Sequence, residues 1–114
     1  MTWRLLRAND ILRQELAKIL EQDLERSPED VVTVTRVEAS PDLQHAKAYI
    51  SILPEKKAKD LLKVMRGSIF NIQQRLNARM RMRPVPKIEW VMEKNLLSVQ
   101  KIDEIFDTIE KEEK

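Results

Sequence analysis

Residues 31–52, VVTVTRVEASPDLQHAKAYISI, decide the fold of this chain. Residues 31–39 are dense in valine and threonine, a composition typical of a β-strand. Residues 40–42 (Ser-Pro-Asp) predict a turn, because proline pre-sets a backbone angle that the turn needs. In residues 45–52 alanine and isoleucine alternate with other side chains, which predicts a second strand with one covered face. The two strands therefore predict an antiparallel hairpin.

Helical periodicity and one further strand surround the hairpin. Apolar residues recur every three or four positions in four segments, and each segment is predicted to form a helix with one apolar face. Gly67, the only glycine, marks the break between the second and third helices, and Pro84 ends the third. The order α-β-β-α-α-β-α predicts an α+β domain of two layers, with helices covering one face of a three-stranded sheet. The predicted helices span residues 3–25, 55–66, 69–83 and 95–110, and the third strand spans residues 86–93.

Length and composition predict a single domain over residues 1–114, with residues 110–114 as a frayed end. The apolar runs are too short to span a membrane. Residues 1–4 lead directly into a helical pattern and do not resemble a signal peptide. We therefore expect a cytoplasmic monomer with no membrane partner.

The inventory of catalytic groups is poor. The chain has no cysteine and one histidine, His45, so a Cys–His pair is excluded. A single glycine cannot build the glycine-rich loop of a nucleotide-binding fold. Carboxylates do not cluster with a histidine in the sequence, so no metal site is predicted. We expect no enzymatic activity, no cofactor, no metal and no small-molecule substrate.

Charge is distributed unevenly along the chain. The formal net charge is only +2, yet residues 61–88 contain seven basic side chains and no acidic one. The segments on either side are weakly negative. A local field of one sign attracts a polyanion even when the whole protein is nearly neutral. This basic belt comprises Lys63, Arg66, Arg75, Arg79, Arg81, Arg83 and Lys87.

The belt predicts an arginine row on the third helix. Arg75, Arg79 and Arg83 follow one another at intervals of four residues, which places them on one face of a helix. Arg81 lies off this row. No acidic residue lies nearby in the sequence, so the row is expected to have no carboxylate partner. Guanidinium groups offer forked donors that fit phosphate oxygens, whereas the few aromatic residues argue against stacking on bases. Backbone recognition of folded RNA is therefore predicted, with contacts from Arg75, Arg79, Arg81, Arg83, Lys63, Arg66, Lys87 and Lys47, and help from Arg4 and Arg7.

Three stretches resemble the ribosome-binding factor A family. Residues 32–51 are similar to the hairpin of that family, residues 79–86 (RMRMRPVP) to its basic helix end, and residues 102–105 (IDEI) to its closing helix. The similarity extends from about residue 11 to about residue 109. It implies a KH-like fold of the second type and no catalytic activity. It also implies binding to free small ribosomal subunits near the decoding region during late rRNA maturation and processing, and a link to growth at low temperature.

Two other functions remain open. In the first, the arginine row binds an acidic protein, and the domain is a protein-interaction module. In the second, carboxylates that are distant in sequence converge around a metal, and the protein is a nuclease. Titrating the purified domain with RNA and with acidic peptides separates the first function from RNA binding. Incubating RNA with the protein and magnesium or manganese tests the second, which predicts loss of the RNA.

Overall fold

The structure, a computed structural model, describes residues 3–93. Its elements follow the predicted order up to the third strand, and the break at Gly67 is confirmed. A short 3-10 turn at Glu55–Lys57 precedes the second helix. The predicted helix 95–110 and the frayed end 110–114 lie outside the described residues. The elements are α1 (Trp3–Asp23), β1 (Val31–Ala39), β2 (His45–Leu53), α2 (Ala58–Gly67), α3 (Ile69–Arg79) and β3 (Lys87–Met92).

The three strands form one sheet in the order β1-β2-β3. The predicted hairpin is confirmed, since β1 and β2 pair antiparallel from Val31 opposite Leu53 to Ala39 opposite Ala46, with a bulge between Val34 and Arg36. β3 pairs with β2 in parallel. Parallel neighbours need a crossover connection, which α2 and α3 provide.

The sheet is covered on one face, as the alternation in β2 predicts. Ala46, Ala48, Ile50 and Ile52 are all buried on the helix side, whereas His45 on the other face is exposed. On that open face the guanidinium carbon of Arg36 lies 4.0 Å from the centre of the Tyr49 ring. The domain is thus a two-layer α+β fold with one polar sheet surface.

The core lies between the helices and the sheet. Leu12 and Leu16 of α1, Met65 of α2, Leu76 of α3 and Trp90 of β3 are all at most 1% exposed. Each helix therefore contributes the apolar face that its periodicity predicted, and the burial of these side chains stabilises the layer packing.

The third helix is shorter than predicted. It ends at Arg79 and not at residue 83, and Met80 already has an extended backbone (φ −95°, ψ 141°). Proline disfavours helical geometry in the residue before it, and two prolines follow at 84 and 86. Residues 80–86 are also needed to bring the chain to β3, where the Lys87 N–H donates to the Gln44 carbonyl at 3.0 Å.

Leu16→Ala should lower the free energy of unfolding by about 2–5 kcal/mol, because it removes a fully buried side chain and leaves a cavity. Urea unfolding followed by circular dichroism measures this change. Leu6→Ala on the same helix is the control, since Leu6 is 49% exposed and its truncation should cost far less. Equal losses for both variants would contradict the assignment of the buried face of α1.

Candidate nucleic-acid interface

The eight predicted RNA contacts do not form one ridge. Arg75 and Arg79 lie on α3, but Arg81 and Arg83 lie in the non-helical segment after it, so the prediction of a continuous helical row from 75 to 83 is wrong. Lys63 and Arg66 lie on α2, and Lys47 and Lys87 lie on strands. All eight residues are exposed.

Two arginines of the row are paired with carboxylates. The Arg75 Nε lies 3.0 Å from an oxygen of Asp23, and the Arg79 Nε donates to Glu15. The expectation of a carboxylate-free row is therefore wrong for these two residues. These ion pairs could not be predicted from the sequence, because both acidic residues belong to α1. This helix packs beside α3 but is distant from it in the sequence.

Both pairs leave donors available. Each uses only Nε, so within residues 3–93 the terminal amino groups of Arg75 and Arg79 have no hydrogen-bond partner. Arg75 is 61% exposed and Arg79 is 36% exposed. Surface pairs of this kind contribute about 0–1 kcal/mol, so a phosphate competes with the carboxylate at modest cost.

The other belt residues keep their charge uncompensated by any carboxylate of residues 3–93. Arg83 donates from Nη1 to the carbonyls of Met80 and Met82, each at 2.7 Å, and thereby supports the turn that follows α3. Arg66 donates to the Trp90 carbonyl at 3.3 Å, which ties α2 to β3. Carbonyls orient these guanidinium groups without neutralising them.

The two lysines on the open sheet face have a different environment. The cross-strand partners of Lys47 are Glu38 on β1 and Glu89 on β3, and Lys87 lies opposite His45. Side chains paired across strands approach to about 5 Å, so the two glutamates weaken the positive field of Lys47. The helix side therefore has the stronger attraction for a polyanion.

Arg79 and Arg81 lie beside two arginines of α1. Together with Arg4 and Arg7 they line one groove of about 490 Å³. The Ala39 N–H donates to the Asn9 side chain at 2.9 Å, which holds this part of α1 against the end of β1. The sequence indicated Arg4 and Arg7 only as auxiliary contacts, because no pattern shows which part of the chain α1 faces. This arginine groove is completed by Ala8, Ile11, Leu43, Met80 and Met82, and its lining has no acidic residue.

Leu43 lines the arginine groove from a strained turn. Its φ is 59°, in the left-handed region, which costs a residue other than glycine about 1–3 kcal/mol. The Leu43 N–H donates to the Ser40 carbonyl at 2.8 Å, and Asp42 accepts from the Ser40 hydroxyl at 2.6 Å and from the Gln44 N–H at 3.1 Å. The bond from Ser40, followed by that from Gln44, lowers the pKa of Asp42.

A second cleft, of about 560 Å³, lies between the C-terminal half of α1 and α3. Its lining includes Asp23 and Arg75, so its charges are already paired with each other. The arginine groove has the larger excess of positive charge and is the stronger candidate for an anionic ligand.

The described part of the chain contains no cluster of metal-ligating side chains. Among residues 3–93 no group of three or more histidine, aspartate or glutamate side chains is placed to hold a metal ion. No helix within the same residues is long and apolar enough to cross a membrane.

The element order and the sheet topology define an α+β domain of the KH-like class. The family model described as ribosome-binding factor A matches residues 4–106, which is most of the chain. The chain therefore belongs to the ribosome-binding factor A family. This family is not enzymatic, so the nuclease alternative is excluded.

Two relatives illustrate the similarity in sequence. Ribosome-binding factor A of Nitrosococcus oceani is 29% identical over 105 residues, which are 91% of this chain and 83% of that protein. Ribosome-binding factor A of Prochlorococcus marinus (strain MIT 9301) is 31% identical over 110 residues, which are 90% of this chain and 85% of that protein.

Two solved structures share the fold. The crystal structure of ribosome-binding factor A from Thermus thermophilus has a TM-score of 0.67 at 20% identity, over 77% of this chain and 94% of that chain. A homology model of the Thermus thermophilus factor, fitted into a cryo-EM map of a 30S complex, has a TM-score of 0.60 at 24% identity. That match covers 73% of this chain and 88% of the other. At these identities the likeness establishes the fold.

Acid should remove the Glu15–Arg79 pair. The hydrogen bond from Arg79 lowers the pKa of Glu15, so the pair stabilises the protein at neutral pH, and this contribution is lost as the pH falls through the lowered pKa. Glu15→Gln should therefore be slightly less stable than the wild type at pH 7, by less than about 1 kcal/mol. The difference should vanish in acid. Thermal unfolding across a pH series measures it, and a difference that grows on acidification would contradict the pairing.

Proposed function

We propose that this protein is a ribosome assembly factor that binds the free small ribosomal subunit and its rRNA during late maturation and processing of that RNA. Family membership supports this function, as does the Thermus thermophilus relative that was fitted into a 30S complex. The observation that carries it on this chain is the arginine groove, whose lining contains four arginines and no acidic residue. A cytoplasmic monomer, acting during growth at low temperature, belongs to the same proposal.

The proposed recognition is electrostatic and directed at the RNA backbone. Each phosphate that an arginine neutralises releases counterions, so affinity arises from charge and falls steeply with salt. No chemical step is needed. A protein that binds one rRNA conformation more tightly than another shifts the population towards the conformation that it prefers. Release follows when maturation removes that conformation.

The proposed contacts are ordered by how freely each charge is available. Arg4, Arg7 and Arg81 have no carboxylate partner among residues 3–93 and contribute most. Arg79 and Arg75 must exchange a carboxylate for a phosphate. The remaining contacts are Arg83 in the turn after α3, Lys63 and Arg66 on α2, and Lys47 and Lys87 on the mixed-charge sheet face.

Reversing two unpaired arginines should abolish most of the binding. We expect Arg7→Glu combined with Arg81→Glu to lower affinity for small subunits at least about tenfold and to flatten the dependence of log affinity on log salt by about two. Both side chains are exposed, so the fold should be retained. Co-sedimentation with purified small subunits over a salt series measures the affinity.

The matched control is Lys56→Glu combined with Lys59→Glu. These lysines are exposed near the start of α2 and are not part of the arginine groove, and the change in net charge is the same. The control should bind nearly as well as the wild type. Equal losses in the two double variants would show that net charge, and not the groove, determines binding.

Removing the competing carboxylate should raise affinity. Glu15→Gln frees the Arg79 guanidinium for phosphate, and we expect about two- to fivefold tighter binding to small subunits. Glu21→Gln is the control, because Glu21 is exposed on the same helix and has no ion-pair partner among residues 3–93. If both variants gain equally, the pair does not restrain Arg79.

A further inference from the structure

The arginine groove has an interior as well as a charged rim. Binding to a phosphate backbone needs only exposed cations, yet the walls between the four arginines are apolar and include Ile11, Leu43, Met80 and Met82. Its volume of about 490 Å³ lies within the range of about 300–1,000 Å³ that is usual for ligand pockets. The ligand that fits must have both an apolar body and anionic groups beside it.

The hairpin turn contributes Leu43 to the apolar wall. A glycine would adopt φ 59° without strain, whereas the leucine is held there by the hydrogen bonds of Ser40 and Asp42. The strained residue places its side chain in the groove lining. The turn thereby contributes an apolar side chain, where glycine would leave that part of the wall empty.

The segment opposite Leu43 suits a flat ligand. Met80 and Met82 flank Arg81 in the non-helical segment after α3, and all three line the groove. Methionine adapts its unbranched side chain to the shape of a partner. A guanidinium plane stacks on a base and also donates in a fork to phosphate, so the same arginines serve both parts of a nucleotide.

We propose that the arginine groove receives one unstacked nucleotide of single-stranded RNA. Its base lies against the walls formed by Ile11, Leu43 and the two methionines, and the adjoining phosphates lie on Arg4, Arg7 and Arg81. This inference rests on the proposed function and adds base contact to backbone recognition. An acidic protein segment would match the charge, but it makes no use of planar stacking at the guanidinium groups.

Abasic RNA separates base contact from charge. The probes are a short unpaired RNA oligonucleotide and the same oligonucleotide with its central bases removed, which carries the same number of phosphates. Affinity is measured by fluorescence anisotropy of a label on the RNA at fixed salt. We expect the abasic probe to bind about five- to tenfold more weakly than the intact probe. Backbone recognition alone predicts equal affinities for the two probes.

Leu43→Gly tests the pocket with little risk to the fold, because glycine accepts the positive φ. The variant should remain folded and should lose most of the preference for the intact probe. Ile11→Gln, at an exposed position of α1, should act in the same way and serves as a second variant. Val64→Ala, which truncates an exposed side chain of α2 outside the groove, should keep the full preference.

Equal affinity of the wild type for both probes overturns the inference, while co-sedimentation with small subunits leaves the proposed function intact. A preference that survives in both Leu43→Gly and Ile11→Gln also overturns it. Tight binding of an acidic peptide that is lost in these variants, without any base preference, would assign the groove to a protein partner instead. Loss of subunit binding by the wild-type chain would be the separate failure of the proposed function.

Discussion

The parallel pairing of β3 with β2 is the constraint on which the rest of the structure depends. A parallel neighbour obliges the chain to cross back over the sheet, and α2 and α3 make this crossing while they cover the core. Gln73 of α3 fixes the position at which β3 begins, because its amide group donates to the Pro86 carbonyl and accepts from the Ile88 N–H. The chain must therefore leave α3 early, which turns residues 80–82 towards α1 and creates the arginine groove.

The distribution of charge on the helix side of the sheet follows from the way in which α1 packs against its neighbours. α1 packs against both β1 and α3, so it presents acids to Arg75 and Arg79 near its C-terminal half and arginines near its N-terminal half. The positive surface is therefore graded along α1. Its strongest part is the end where Arg4 and Arg7 meet Arg81 and where no carboxylate lines the groove. A net charge of only +2 is thus compatible with a strongly attractive local surface.

Local features could be predicted from the sequence, and features that depend on distant elements could not. The bounds of β1, the hairpin and the break at Gly67 follow from side-chain alternation, turn chemistry and the single glycine. The end of α3 was predicted too late, because the periodicity through Met80 resembles a helix while the sheet demands an extended chain. Arg75 and Arg79 could not be assigned partners, and the arginine groove was missed, because α1, the hairpin turn and residues 80–82 meet only after folding.

The irregularity in β1 has a consequence for association between molecules. β1 is an edge strand of the described sheet, and its outer N–H and C=O groups offer a template to any other extended chain. The bulge between Val34 and Arg36 breaks the regular spacing of those groups, so a second copy cannot add a long strand in register. The β1 edge of the described sheet is thereby a poor template for edge-to-edge addition of another chain.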